Sequence, residues 1–405
     1  MSSPEPRHTH TQQRPRLPAP ATPAAGALPS DALCEILLRL PGKQLCRLRT
    51  VCRAWRSLLS APWFAAAHAA RRPEPYIVAS YSDDVDLDRD GLVDVLDMSS
   101  GRIVRHVAPG NASDMVVSVA PASGLVGVKT IDSGSFRLLH PVTGAVHNLS
   151  DRLAPEHAAR GFSLRDYGEP AYMVGQVAGT GELKVLRMLP FRQRRDSGGG
   201  DRDDDLFEVC TLSSSARWRG MQGPPRSFVW NEWTRVVVGG VVYCLSVAAY
   251  LAVVNRRADE QGWIVRFDLE AEEWKPSIKG PSSLVDGGGR HNSYLKQVTL
   301  ANLKGSLVIV HGSSRIMDLW FLKDCEEGLW VIQYSVQIER SGHLSPMHPL
   351  LVLEDGRIVT VIRSMGLLQI YDPRRGTFAS LMMLRHSSRV SVHTGSFLSL
   401  HHGEN

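Results

Sequence analysis

The sequence predicts an α+β chain of two unequal parts, a small all-α unit near the N-terminus and a large all-β domain behind it. Three observations carry this. Residues 28–68 place apolar side chains at helical spacing. From Tyr76 to about Leu400, short runs rich in Val, Ile and Leu alternate with Gly, Ser, Asn and Asp turns. Within that β region related turn signatures recur at steps of roughly 40 to 50 residues.

Composition narrows the class. A chain of 405 residues can bury a sizeable core and has room for two or three domains. Its net charge of +5, with 21% charged residues, is a mild basic balance spread along the chain, so no nucleic-acid footprint is visible. Cys34, Cys46, Cys52, Cys210, Cys244 and Cys325 form no C-x-x-C pair. They read as free thiols in a reducing compartment, cytoplasmic and/or nuclear.

Residues 1–27 are rich in Pro, Ala, Thr and Arg and have neither the apolar run of a signal peptide nor helical periodicity. The expectation for them is a disordered arm. A helix then begins at Ser30, a residue suited to capping, and Leu33, Ile36, Leu37 and Leu40 form one apolar stripe at i, i+3, i+4 and i+7. Pro41-Gly42 stops it. Leu45, Leu48, Cys52, Trp55 and Leu59 form a second periodic run, with Lys43, Arg47, Arg49, Arg53 and Arg56 on its other faces. Pro62 interrupts that run, and Trp63-Phe64 start a last short helix. A unit of about 40 residues can hide little surface, so its surplus of large apolar side chains points to a partner.

The residues here resemble an F-box. The family's opening Leu-Pro, its Glu-Ile-Leu run, its second Leu-Pro and its Val-Cys-basic-x-Trp-Arg signature stand as Leu28-Pro29, Glu35-Ile36-Leu37, Leu40-Pro41 and Val51-Cys52-Arg53-Ala54-Trp55-Arg56. Cys46 departs from the larger aliphatic residue usual at its place. The resemblance implies that residues 28–70 dock on a Skp1-like adaptor and, through it, a cullin. The residues expected at that contact are Leu28, Pro29, Leu33, Ile36, Leu37, Leu40, Pro41, Leu45, Leu48, Val51, Cys52, Trp55 and Leu58.

In the β region, 76–400, representative strands are Tyr76-Ile77-Val78, Val116 to Val119, Leu307 to Val310 and Arg357 to Ile362. Turn signatures stand at Asp97 to Gly101, His140 to Gly144, Asp268 and Asp372 to Gly376. Their separations are 43, 128 and 104 positions, which divide into steps of propeller-blade length and suggest six or seven irregular blades. Segments around Gly124-Leu125-Val126, His140 to Gly144, Gly181 to Val185, Ile264 to Leu269 with Glu273-Trp274, and Met317 to Trp320 resemble the F-box-associated domains of the large plant F-box families. By that resemblance this domain recognises a protein substrate. Residues 191–205, mixed in charge with a Gly run, read as a flexible insertion between strands, and 401–405 as a tail.

Three further constellations stand in the chain. Asp86, Asp88, Asp90, Asp94 and Asp97, with Gly91 at the sixth position, have the spacing of a calcium loop. Position 12 is Asp where a bidentate Glu is usual, and the flanks read as strands. An acidic turn entering a half-buried strand, Leu92 to Leu96, is therefore preferred. The charge-free run Val236 to Val254 is long enough for a membrane span, but Gly239-Gly240 at its middle favours two buried strands joined by a turn. The histidines His386, His393, His401 and His402 are too irregularly spaced for a zinc site.

The sequence contains no G-x-S-x-G, Walker or H-E-x-x-H motif. The functional expectation is a non-catalytic substrate adaptor of a Skp1-cullin-F-box ubiquitin ligase, with no cofactor, nucleic acid or membrane partner. The alternatives are a propeller-type enzyme acting on a small molecule, or a Skp1-binding interaction protein outside any ligase.

Overall fold

The computed structural model describes residues 30–40, 42–71, 75–80, 93–98, 101–107, 114–120, 125–130, 135–139, 146–177, 179–192, 205–212, 216–255, 262–281, 283–286, 297–313, 315–338, 347–362, 365–384 and 389–394. Four short helices come first: α1 Ser30–Leu37, α2 Gly42–Leu48, α3 Arg53–Ser60 and α4 Pro62–Arg71. The second periodic run of the sequence is thus two helices rather than one. Thr50 is the reason: its hydroxyl donates back to the Arg47 carbonyl (2.8 Å) and the Val51 N–H closes on Leu48 (3.2 Å), so the chain turns before α3 begins. Cys52 then caps α3, its thiol accepting the Trp55 N–H at 3.4 Å.

The rest of the described chain is built from six four-stranded antiparallel sheets. In chain order the strands are β1 Pro75–Ser80, β2 Val93–Asp97, β3 Ile103–Val107; β4 Asp114–Ala120, β5 Leu125–Thr130, β6 Phe136–Leu139, β7 Val146–Asn148; β8 Ala171–Gln176, β9 Leu183–Leu189, β10 Leu206–Thr211, β11 Trp218–Met221; β12 Arg235–Val238, β13 Val241–Leu245, β14 Ile264–Asp268, β15 Glu273–Ile278; β16 Gln297–Leu303, β17 Ser306–Gly312, β18 Ile316–Asp324, β19 Leu329–Gln337; β20 Met347–Val352, β21 Ile358–Ile362, β22 Leu367–Asp372, β23 Thr377–Met383; and β24 Arg389–Thr394. The innermost strands β24, β4, β8, β12, β16 and β20 touch their neighbours in a closed ring, which makes the domain a six-bladed propeller. The ring is shut by its two ends: β24 pairs antiparallel with β1, from Pro75↔Thr394 to Ser80↔Arg389.

Each junction between consecutive blades holds one apolar cluster. Val78, Val93, Val126, Val128 and Leu139 fill the first; Met317, Leu319, Phe321, Ile358 and Tyr371 are among those filling the fifth. A blade therefore buries both faces. This explains why β21 is buried along its whole length and why β2, expected to be half-buried, is buried from Val93 to Leu96.

The hairpins from third to fourth strand in the fourth, fifth and sixth blades share one device. Asp268 Oδ1 accepts the N–H groups of Glu270 (2.9 Å) and Ala271 (3.2 Å), and Asp324 Oδ1 those of Glu326 (2.8 Å) and Glu327 (3.0 Å). Asp372 Oδ1 accepts from Arg374 at 2.9 Å. Four residues after the aspartate the backbone turns left-handed: Gly101 φ 66, Glu272 φ 55, Gly328 φ 66 and Gly376 φ 67. The turn signatures read at Asp97, Asp268 and Asp372 are hairpins of this kind, that at His140 to Gly144 lies outside the described residues, and the count of steps needs one correction. The 128 positions from His140 to Asp268 span two blades, not three, because the connections between β7 and β8 and between β9 and β10 are long. Six blades result.

Strand alternation sorts the connections onto two faces. On one, the links β2–β3, β4–β5, β6–β7, β8–β9, β10–β11, β12–β13, β14–β15, β16–β17, β18–β19, β20–β21 and β22–β23 take two to six residues each. On the other lie the long links: 149–170 with α5 Pro155–Ala159, 190–205, 222–234, 246–263 with α6 Val247–Asn255, and 279–296 with α7 Ser283–Asp286. The apolar run 236–254 is divided by this plan. Its first half is the β12–β13 hairpin, as expected, but its second half is α6, not a strand. Among the described residues no helix is long and apolar enough to cross a membrane.

Candidate functional site

The helical unit has its own small core. Leu37, Leu38, Leu45, Leu59 and Phe64 are buried, with Leu33, Leu40, Leu48, Trp55 and Leu58 packed half-buried around them. Polar contacts fix the frame. Arg71 grips Glu35 with two hydrogen bonds (2.8 and 3.0 Å), tying α4 to α1. The Arg71 hydrogen bond and charge hold the exposed Glu35 carboxyl below its ordinary range. The buried His68 ring nitrogen meets the Leu40 carbonyl at 2.9 Å, and Arg49 donates to the Leu59 carbonyl at 2.7 Å.

What this frame leaves outside is apolar. Ile36 is 47% exposed, Val51 61% and Trp63 56%, with Cys52 also exposed. Arg39, Arg47, Arg53 and Arg56 of the same helical unit are exposed as well. The sequence-derived contact set divides accordingly. Ile36, Val51 and Cys52 are open to a partner; Leu33, Leu40, Leu48, Trp55 and Leu58 offer part of their surface. Leu37 and Leu45 are 1% and 0% exposed and belong to the core that holds the bundle together. Leu28, Pro29 and Pro41 lie outside the described residues. Trp63 was read from sequence only as the start of a helix, and its position after the Pro62 break gave no sign that the ring would face solvent.

Of the acidic segment, only the end is described. Asp94 and Asp97 belong to β2, and the Asp94 carboxylate, 7% exposed, meets His106 Nδ1 on β3 at 2.6 Å. Asp86, Asp88 and Asp90 lie outside the described residues. Among the described residues no group of three or more His, Cys, Asp or Glu is arranged to hold a metal. Of His386, His393, His401 and His402, His393 is on β24 and the others lie outside the described residues.

A buried polar cluster in the third blade escaped the sequence reading. Glu208 on β10 is fully buried, and its Oε2 accepts from both Nε (2.7 Å) and Nη2 of Arg187 on β9. Its other oxygen accepts the Ala154 N–H (2.7 Å) and meets His157 Nδ1 on α5 (3.0 Å). Arg187 also donates to the carbonyls of Ser150 and Arg152 and stacks 4.2 Å from the Trp218 ring. Burial pushes the Glu208 carboxyl up, but hydrogen bonding from His157 and the Arg187 charge outweigh it and hold the group below its ordinary range. The cluster staples the 149–162 segment onto the blade. Both Glu208 oxygens are engaged by the protein itself, so its chemistry is that of a fastener.

Cys34, Cys52, Cys210, Cys244 and Cys325 are free. Complete burial pushes the Cys244 thiol up to about 12, leaving it inert.

With this geometry in place, known proteins are informative. The model of the F-box domain matches residues 27–65, and that of the F-box associated beta propeller domain matches residues 173–393. The F-box/kelch-repeat protein At3g23880 of Arabidopsis thaliana is 55% identical over 367 residues, covering 87% of this chain and 89% of that protein. F-box protein At3g07870 of the same plant is 25% identical over 415 residues, covering 91% of each chain. The helical unit and the propeller therefore agree with the two matched models, and the chain belongs to the F-box proteins that carry an F-box associated beta propeller domain.

Proposed function

We propose that this chain is the substrate-recognition adaptor of a Skp1-cullin-F-box ubiquitin ligase, working in the cytoplasm and/or nucleus. The helical unit binds a Skp1-like protein, which brings a cullin, and the propeller holds a protein to be ubiquitinated. The observation that carries this reading is the apolar surface of a bundle too small to cover it: Ile36, Val51 and Trp63 face solvent beside half-buried Trp55 and Leu58. The exposed arginines of the same unit suit an acidic adaptor surface. The chain performs no bond chemistry in this scheme. It raises the local concentration of target lysines at the conjugating enzyme, an effect worth roughly millimolar for a well-matched tether.

The test uses side chains whose loss leaves the bundle intact, which excludes the core residue Leu37. Ile36→Lys with Val51→Lys, in the full chain, should weaken binding of a purified Skp1 homologue at least a hundredfold in a titration, with the unfolding temperature of the propeller unchanged. Equal affinity of the double variant and the parent would refute the assignment.

A further inference from the structure

Between α2 and α3 the helical unit carries a hydroxyl that the adaptor reading does not use. Thr50 is exposed, in the turn 49–52 that separates Leu48, the end of α2, from Arg53, the start of α3. The other described hydroxyls of the unit, Ser30, Ser57 and Ser60, belong to α1 and α3. A protein kinase must set its acceptor oxygen in line with the γ-phosphate of ATP, a geometry that a turn can offer and a helix interior cannot without unwinding. The Thr50 hydroxyl donates to the Arg47 carbonyl at 2.8 Å, and the Thr50 N–H closes on the same carbonyl at 3.2 Å. The turn therefore keeps a backbone bond when the hydroxyl is taken away.

Charge near this turn has one sign. Between Glu35 and Glu74 the chain has no acidic residue, while Arg39, Lys43, Arg47, Arg49, Arg53 and Arg56 stand on either side of Thr50 in sequence. Glu35 itself is already held by Arg71. Arg47 comes three residues before the hydroxyl and Arg49 one before, a pattern that carboxylates lining a kinase cleft can read. Arg56 Nε donates to the Arg49 carbonyl (3.4 Å), which brings its guanidinium beside the peptide leading into Thr50. On the other side of the turn, Val51 (61% exposed) and Cys52 belong to the surface open to the adaptor.

We propose that Thr50 is a phosphorylation site, used by a kinase that selects arginine ahead of its acceptor, and that the modified chain no longer takes the adaptor. The proposal rests on the adaptor reading and adds its regulation. The Thr50 oxygen bonds to the γ-phosphorus of ATP and the bond from that phosphorus to the β,γ-bridging oxygen breaks. ADP leaves, and the hydroxyl proton goes to the catalytic carboxylate of the kinase. The phosphate carries a charge of about −1.5 to −2 at pH 7. Beside Val51 it sets a hydrated anion at an apolar contact, and it offsets the arginines that suit an acidic adaptor. Arg56, already at the turn, can pair with it and keep it there. Access is exclusive in the other direction too: an adaptor seated over Val51 and Cys52 covers the turn, so the unassembled chain is the kinase substrate.

The test incubates the full chain, alone and saturated with a purified Skp1 homologue, with ATP and a purified kinase selective for arginine three residues before the acceptor. Peptide mass spectrometry reads the sites. The expected result is phosphate on Thr50 of the free chain and at least tenfold slower incorporation in the complex. The phosphorylated chain should bind the homologue at least tenfold more weakly, with its propeller melt unchanged. Thr50→Ala should bind as the parent does and lose no affinity after kinase treatment, and Arg47→Ala should slow incorporation at Thr50. A free chain left unmodified at Thr50, equal rates with and without the homologue, or equal affinity before and after modification would each overturn the proposal. So would a Thr50→Ala chain that loses affinity on treatment, since another site would then carry the effect. An unmodified parent that fails to bind the homologue overturns the adaptor reading itself, whereas a parent that binds equally with and without phosphate on Thr50 overturns this proposal alone.

Discussion

At the residue scale, Glu208 shows how much a single buried charge asks of its surroundings. Taking one partner away leaves the other charged and desolvated, which typically costs about 3 to 5 kcal/mol. Arg187→Met should therefore lower the unfolding temperature far more than a surface substitution does, and Glu208→Gln should do so less, keeping the Ala154 contact. The pH dependence follows from the direction of the shift. Because the Glu208 carboxyl titrates lower in the folded chain than in the unfolded one, its contribution is complete above the ordinary Glu range, roughly pH 4 to 5, and is lost as pH falls through the lower folded value. Thermal melts between pH 7 and pH 3 should show a steeper loss for the parent than for Glu208→Gln; parallel curves would contradict this. No local pattern in the sequence announces the cluster. Glu208 stands within an apolar run and its partners lie 21 to 54 positions away, so only the folded blade brings them together.

At the element scale, the helices and hairpins were the most legible parts of the chain. The apolar stripe of α1, the Pro41-Gly42 stop and the Asp-x-x-x-Gly turns each write their conformation into a few neighbouring residues. What failed was the reading of segments whose state is set by distant packing. The run from Leu45 to Leu59 looked continuous because its apolar period survives the turn at Thr50. α6 looked like a strand because β-branched residues next to it dominate the window. Glycines separate the turn-forming from the packing role. At Gly280 a Cβ would sit 1.9 Å from the Trp263 ring, an overlap that neither the blade nor the indole can yield to. Gly280→Ala should cost about 3 kcal/mol, at the upper end of overpacking. Gly305 has φ 72 and nothing within 4 Å, so Gly305→Ala should cost only about 1 to 2 kcal/mol of left-handed strain. Chemical denaturation of both variants checks the order; equal losses would mean that space at Gly280 is not limiting. Removing the hairpin acceptor with Asp324→Ala should cost on the order of 1 kcal/mol, because two N–H groups lose their partner but remain near solvent.

At the scale of the whole molecule, closure is the decisive feature. The sequence suggested six or seven blades because the turn signals mark only some of them. Blade three carries no such signature between Thr211 and Trp218, and that of blade five, Asp324 to Gly328, is masked by the acidic residues Glu326 and Glu327 within it. Nothing local could reveal that the last strand belongs to the first blade, since the β1–β24 pairing joins residues over three hundred positions apart. Truncation after Leu384 would expose β1 as an edge and remove Val390 from the core between the last and first blades. The expected outcome is a broadened, lowered melt with aggregation; a sharp transition at the parent temperature would show that the ring does not need its closing strand.

The helical unit enters the propeller at the start of β1, and the long links join the opposite ends of the strands, a plan that suits an adaptor with two independent contacts. The most direct measurement is hydrogen exchange on the full chain with and without a purified Skp1 homologue. The account predicts protection over residues 30–60, including Ile36 and Val51, and no change across 222–234 and 246–255. Protection that spares the helices, or that falls on α6, would contradict it.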